Sequence, residues 1–239
     1  MGRALPGILS RHDLAEIRDV MPFTVSEYAA LRPFLYHVTA RENVPRLRWT
    51  RRLVPAAELL RAAGRLDLVR TRRDGPVRLT IDGEPVVLKD QVPLVENNVN
   101  LADGWQFEDF VEFLNCHVFF WPGDAVQAIP AGRALLAHYE VDQPAVLRVP
   151  MMDLVRGNPT VPPLFSRYNT GAARMQHGKR VLRGPDLFRA AHETSLRRFE
   201  VKATAFRGAL VLADNAEIRC GAESWAALTA ATVSGEERP

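Results

Sequence analysis

Six residues, Phe34 to Thr39, alternate so that Phe34, Tyr36 and Val38 fall on one side of an extended chain and Leu35, His37 and Thr39 on the other. That period of two is what a strand with one buried face requires, and it points the side chains of His37 and Thr39 the same way. Alternation returns late in the chain, where Phe199, Val201 and Ala203 are predicted inward and Glu200, Lys202 and Thr204 on the opposite face. Between these runs, Val77 to Ile81 and Pro85 to Leu88 flank Asp82-Gly83-Glu84 as a hairpin. Cys116 to Trp121 reads as an apolar, aromatic strand halted by Pro122-Gly123, Ala145 to Val149 as another, and Val211 to Arg219 as a last one.

Helical segments are interspersed among these strands, which makes the fold class α+β. The first thirty residues read as two short helices, the second opened by Thr24 with Glu27 three residues on, a reciprocal capping pattern. Residues 1–33 are thus a helical leader onto the core. Asn43 to Arg52 suits a helix with Pro45 in its first turn, Ala56 to Ala63 a second, and Phe107 to Leu114 a third. Asn158 to Arg183 is rich in Pro, Gly, Asn and Arg with little periodicity, which is long for an idle connection. The end from Ser234 is expected to fray. With 239 residues, no internal repeat and no break in composition, a single domain spanning 1–239 is expected.

Hydrophobic residues make up 47% and charged residues 25%, and no apolar run approaches the roughly 20 residues of a membrane span. No secretion signal is recognisable, so a cytoplasmic location and no membrane partner are expected. Cys116 and Cys220 stand far apart without metal-ligand or disulfide spacing, and are expected to be reduced and structural. Net charge is only +3, yet Arg41 to Thr80 carries +7 and Phe165 to Arg207 carries +7, leaving −11 for the rest. Two such stretches facing one cleft would favour an anionic ligand, a dinucleotide or a nucleic acid. Taken singly, they are solvated faces. Only Lys89, Lys179 and Lys202 are lysine, so the arginine excess also has a reading in overall composition.

No glycine-rich dinucleotide fingerprint, phosphate loop, paired-cysteine zinc site or nucleophile elbow occurs, which disfavours Rossmann enzymes, nucleotide triphosphatases and α/β-hydrolases. What remains is Tyr36-His37-Val38-Thr39 followed by Asn43 and a helix; Leu114-Asn115-Cys116-His117-Val118-Phe119-Phe120-Trp121-Pro122; and Asn169-Thr170-Gly171-Ala172 leading to Phe199-Glu200-Val201. This set, spanning roughly residues 34 to 205, resembles the DNA-targeting ADP-ribosyltransferase toxins of the DarT type. It is closer still to an uncharacterised bacterial family that shares their layout.

The resemblance implies an ADP-ribosyltransferase-like fold, two packed, mainly antiparallel β-sheets forming a central cleft with flanking helices. It implies an NAD-dependent ADP-ribosyltransferase acting on a macromolecule, with a base of DNA or RNA as acceptor and an antitoxin as partner if the chain is a toxin. NAD would be consumed as the ADP-ribose donor, and no metal is called for. His37 would hydrogen-bond one of the two riboses, Thr39 and Asn43 would help hold the dinucleotide, and Glu200 would be catalytic. An arginine after the first helices, Arg72 or Arg73, would meet the diphosphate. His117 stands where the family carries arginine, and with no tyrosine on this strand nicotinamide stacking falls to Phe119 or Trp121.

The chemistry accounts for these residue types. Breaking the bond between nicotinamide and ribose builds positive charge on the sugar, an oxocarbenium-like state that a carboxylate stabilises most strongly at the transition state. Histidine and threonine supply a donor and acceptor pair to ribose hydroxyls, and arginine matches a diphosphate oxygen bidentately. Each residue also has a plainer role. A strand histidine is commonly satisfied by a neighbouring carbonyl, an outward glutamate is commonly solvated, Phe119, Phe120 and Trp121 are core aromatics by default, and Asp90 and Gln91 brace the sheet. Two other functions fit the same segments: a nucleotide or nucleic-acid binding module without catalysis, and an NAD-dependent RNA 2′-phosphotransferase, which needs a richer arginine site.

Overall fold

The computed structural model of the chain describes residues 22–168, 175–176 and 179–229. The first of the two leader helices, the Asn169 to Ala172 segment and the tail from Ser234 lie outside the described residues. The second leader helix, α1 (Val25–Leu31), opens as its sequence predicts: Thr24 Oγ1 accepts the Glu27 N–H, and the Glu27 carboxylate accepts the Thr24 N–H at 2.8 Å.

The architecture is mixed α+β. Its frame is β1 (Phe34–Thr39), β4 (Val118–Gly123), β5 (Ala145–Pro150), β6 (Pro163–Ser166), β7 (Ala203–Phe206), β8 (Glu217–Cys220) and β9 (Ala226–Ala227). These form one seven-stranded sheet in the order β9-β8-β5-β1-β4-β7-β6, with every neighbouring pair antiparallel. Outside that sheet the described strands pair two by two, and the longest such pair, β2 (Val77–Ile81) with β3 (Glu84–Leu88), makes a separate hairpin. Asp82 and Gly83 both have positive φ, 54° and 80°, as a two-residue turn matched to strand twist requires.

Helices cover both faces of the sheet. Against one face lie α1 and α6 (Met151–Gly157), whose Tyr28, Met151 and Leu154 are buried with Leu35, Leu147, Val149 and Phe120. On the other, α5 (Pro130–His138) brings Leu135 and Leu136 onto Tyr36, Trp121 and Val146. Central strand β1 is therefore covered on both sides, not on the single buried face that its alternation implies, because neighbours on each side seal it. Two satellites extend the core: α3 (Ala56–Ala62) under the β2–β3 hairpin, and α4 (Phe107–Asn115) against Leu187, Phe188 and Ala205. Among the described residues no helix is long and apolar enough to cross a membrane.

Several boundaries differ from the sequence expectation for identifiable reasons. The aromatic strand does not stop at Pro122: Pro122 and Gly123 still pair with Leu35 and Phe34. Gly123 permits this, since a Cβ there would overlap the Gln127 carbonyl and lie 2.7 Å from the Tyr36 ring. The Asn158 to Arg183 stretch holds edge strand β6, which begins on a proline where no ladder donor is needed. Val211 to Arg219 is two pieces, for Leu210–Val211 pairs with Arg52–Leu53 and only Glu217–Cys220 joins the sheet. Phe199 to Ala205 is likewise divided: Arg198–Glu200 is a 3-10 turn and the strand starts at Ala203. Phe199 is 49% exposed while Val201 is buried, so alternation fails at the turn.

Candidate functional site

Strand β1 pairs with β5 over all six of its residues but with β4 over only three, the ladder ending at Tyr36 opposite Trp121. From His37 onward β1 and β4 part. His37 stands in the opening, its Nδ1 2.8 Å from the Phe119 carbonyl. A carbonyl only accepts, so Nδ1 carries the proton and Nε2 keeps its lone pair. Burial holds the imidazole pKa below its ordinary value, although the Phe119 hydrogen bond works the other way, so the ring is neutral near pH 7. The carbonyl partner of the plain structural role is thus present, and a second ring nitrogen remains beyond it.

The opening leads into a cleft of about 750 Å³, within the range of small-molecule and cofactor sites. Its walls are the end of β1, α2 (Val44–Thr50), α3, the β2–β3 hairpin with the segment after it, the start of β4, and Tyr139 beyond α5. His37, Thr39, Asn43, Arg73 and Phe119 line it. Arg72 and Glu200 are not among the lining residues.

Asn43 is occupied within the fold. Its amide donates to Thr39 Oγ1 (2.9 Å) and to the Val87 carbonyl (2.8 Å), while its oxygen accepts the Val87 N–H (2.8 Å). The side chain fastens β3 to the end of β1 and orients the Thr39 hydroxyl, whose oxygen it already engages.

The two arginines left open by the sequence part company. Arg72 is tied to Asp74 and to the Val92 carbonyl (3.1 Å). Arg73 is 8% exposed and donates from Nε to the Lys89 carbonyl (3.0 Å) and from Nη1 to Asn115 Oδ1 (2.9 Å). Asn115 is itself held by the Val69 carbonyl (2.9 Å) and Gln91 Nε2 (3.1 Å), and Gln91 Oε1 accepts the Arg73 N–H (3.1 Å). Among the described residues no carboxylate forms an ion pair with the Arg73 guanidinium, and no hydrogen bond uses its Nη2. Burial lowers its pKa to about 10, against the attraction of Asp90. A desolvated cation held by neutral groups beside a cleft can take an anion as partner.

Other lining groups were not singled out from sequence: Arg46, Arg52, Lys89, Asn115 and Tyr139. Arg46 leans on Asp82 (3.4 Å), and Lys89 lies over the Tyr139 ring (3.9 Å) and near Asp142 (3.4 Å). Tyr139 has its pKa pushed up to about 12 by burial and by Asp90. Arg46 and Arg52 fall in the arginine-dense stretch from Arg41 to Thr80 and Asn115 in the Leu114 to Pro122 segment, whereas Lys89 and Tyr139 carry no such signal. Among the described residues the basic stretch from Phe165 to Arg207 contributes none to the cleft walls.

On β4, Phe119 faces the cleft half-buried, while Trp121 reaches it from a packed position among Tyr36, Ala128 and Val146. His117 is 4% exposed and also lines the cleft. Glu200 lies near the other end of β7 from the strand opening, its carboxylate 2.9 Å from Arg167 Nη2 and 2.9 Å from the Arg197 N–H that it caps. Cys116 and Cys220 are free thiols.

The model of a family of unknown function, DUF7002, matches residues 33–211, from the start of β1 to the strand pair formed by Val211. That is most of the chain, and the chain belongs to this family. No curated protein and no solved structure matches it significantly.

Proposed function

We propose that this DUF7002 member binds NAD in the cleft between β1 and β4 and transfers its ADP-ribose to a macromolecular acceptor, a base of DNA or RNA, on an ADP-ribosyltransferase-like fold. The carrying observation is the parting of β1 and β4 at His37, with a neutral imidazole, the Thr39 hydroxyl and the Arg73 cation, which no described carboxylate ion-pairs, around one cleft of about 750 Å³. The residues fit a dinucleotide. Arg73 suits a diphosphate oxygen, His37 Nε2 accepts a ribose hydroxyl proton, and Phe119 offers a ring face to a planar base.

In this reading the bond between ribose and nicotinamide breaks, nicotinamide leaves with the electron pair, the acceptor nitrogen or oxygen bonds the ribose carbon, and its proton passes to solvent. Glu200 is the carboxylate assigned to the sugar's developing charge. Tied to Arg167 and off the cleft walls as it stands, Glu200 would have to give up that pair and move to the cleft to meet the sugar. The test is release of nicotinamide and labelling of single-stranded DNA, duplex DNA, RNA or lysate protein from radiolabelled NAD. Wild type should turn over, and Glu200→Gln should lose at least a hundredfold in rate while still binding NAD. Absence of both NAD binding and turnover sinks the reading.

One observation favours a second reading, binding without catalysis: the Glu200 carboxylate is paired with Arg167 and the Arg197 N–H and does not line the cleft. It predicts NAD binding that is indifferent to Glu200→Ala, with no product from any acceptor.

A further inference from the structure

The sequence resemblance leaves His117 unexplained, since it stands where arginine is expected. Its surroundings give it a chemistry of its own. His117 Nδ1 donates to the Phe113 carbonyl (2.7 Å), which fixes the tautomer and leaves Nε2 as an acceptor. Among the described residues Nε2 has no partner, and it is not one of the sealed polar atoms without one, so it keeps access on a residue that lines the cleft.

The ring is walled by Phe113, Phe188 and Phe119, with centroids at 4.7, 5.2 and 6.0 Å. Leu94, Pro93 and Leu114 complete an apolar corner of the cleft. A lone pair in such a wall has no water to satisfy it once a ligand closes the corner. It therefore disfavours a group that only accepts, and selects one that brings an N–H. Of these rings Phe119 also lines the cleft, and its face favours a planar ring beside it. Resting on the NAD reading above, the geometry points to His117 as a specificity residue, its Nε2 accepting the exocyclic N–H of one planar base of the dinucleotide while that base lies against Phe119.

Two groups of NAD have this chemistry, the nicotinamide amide and the adenine amine, and two analogues separate them. In 3-acetylpyridine adenine dinucleotide the amide N–H is gone; in nicotinamide hypoxanthine dinucleotide the adenine amine is replaced by an oxygen. Binding of NAD and both analogues would be measured by calorimetry to wild type, His117→Phe and His117→Gln. Wild type should bind one analogue about tenfold more weakly than NAD and the other as well as NAD. His117→Phe keeps the ring packing and should erase that preference, while His117→Gln, with its amide oxygen as acceptor, should retain most of it. Equal binding of all three by wild type, or a preference that survives in His117→Phe, overturns the assignment and leaves the NAD reading standing. If wild type binds none of the three, the NAD reading falls and this assignment falls with it.

Discussion

His37 and Phe119 meet where two strands separate: the imidazole Nδ1 donates to the Phe119 carbonyl across 2.8 Å, just beyond the last β1–β4 ladder pair. The side chain thus supplies, at the floor of the opening, a hydrogen bond that the ladder no longer makes. His37→Ala should cost about 1–3 kcal/mol in urea unfolding, the penalty for stranding a part-buried carbonyl. NAD affinity should fall by more than tenfold through loss of Nε2. His37→Asn, whose amide can still reach toward Phe119, should recover stability ahead of affinity.

Arg73 and Arg72 are adjacent in sequence and opposite in consequence. Arg73→Met removes a buried cation that no carboxylate pairs with, so its stability cost should stay near 1–2 kcal/mol. Affinity for ADP-ribose should drop by about two orders of magnitude, the scale of a lost charge-assisted contact. Pyrophosphate should raise the wild-type melting temperature and leave that of Arg73→Met unmoved. Arg72→Ala should leave both affinity and the pyrophosphate response at wild-type levels.

Asn43 should behave as a structural residue in the first instance. Asn43→Ala removes two hydrogen bonds to Val87 and one to Thr39, and an unfolding loss of about 2–3 kcal/mol is expected. Hydrogen exchange should locate that loss in the β2–β3 hairpin. A variant that unfolds as wild type while losing NAD binding would show the side chain to be a ligand contact instead.

Acid should weaken the fold through the two cleft histidines. Burial lowers the pKa of both His37 and His117 in the folded chain, so the unfolded chain takes up protons first, at its ordinary value of about 6.5. Stability from these groups is complete above that pH and declines as pH falls through it toward the depressed folded values. The melting temperature should therefore drop between pH 7.5 and 5.5, and His117→Phe should flatten part of the drop. An identical slope in the variant would show that carboxylates set it.

The secondary elements were largely legible, because capping at Thr24, alternation in Phe34 to Thr39 and the Asp82-Gly83 turn are local signals. Alternation could not tell that β1 is covered on both faces, which depends on α5 and α6 arriving from distant parts of the chain beside the adjacent α1. His37, Thr39 and the pair Arg72-Arg73, with no choice between the two, were legible as candidates, but not the bond by which Gln91 and Asn115 reach each other across 24 residues. Glu200 shows the limit of a one-dimensional pattern. The period-two reading continued straight through a 3-10 turn, and a carboxylate assigned to an exposed strand face is instead capping the turn before the strand.

Asn43 has a counterpart in Asn158, whose carboxamide grips Val211 through the same paired contacts, at 2.9 and 2.8 Å, that Asn43 makes with Val87. Each side chain stands in for one peptide unit of a missing neighbour strand. The hairpin wall of the cleft is therefore fastened to the end of β1 by a side chain, beside its packing on α3, and is not woven into the sheet. A change of length at its tip, Asp82-Gly83, would leave every pairing of the seven-stranded sheet in place. The aperture of the cleft and the integrity of the fold are thereby separate variables, open to independent selection.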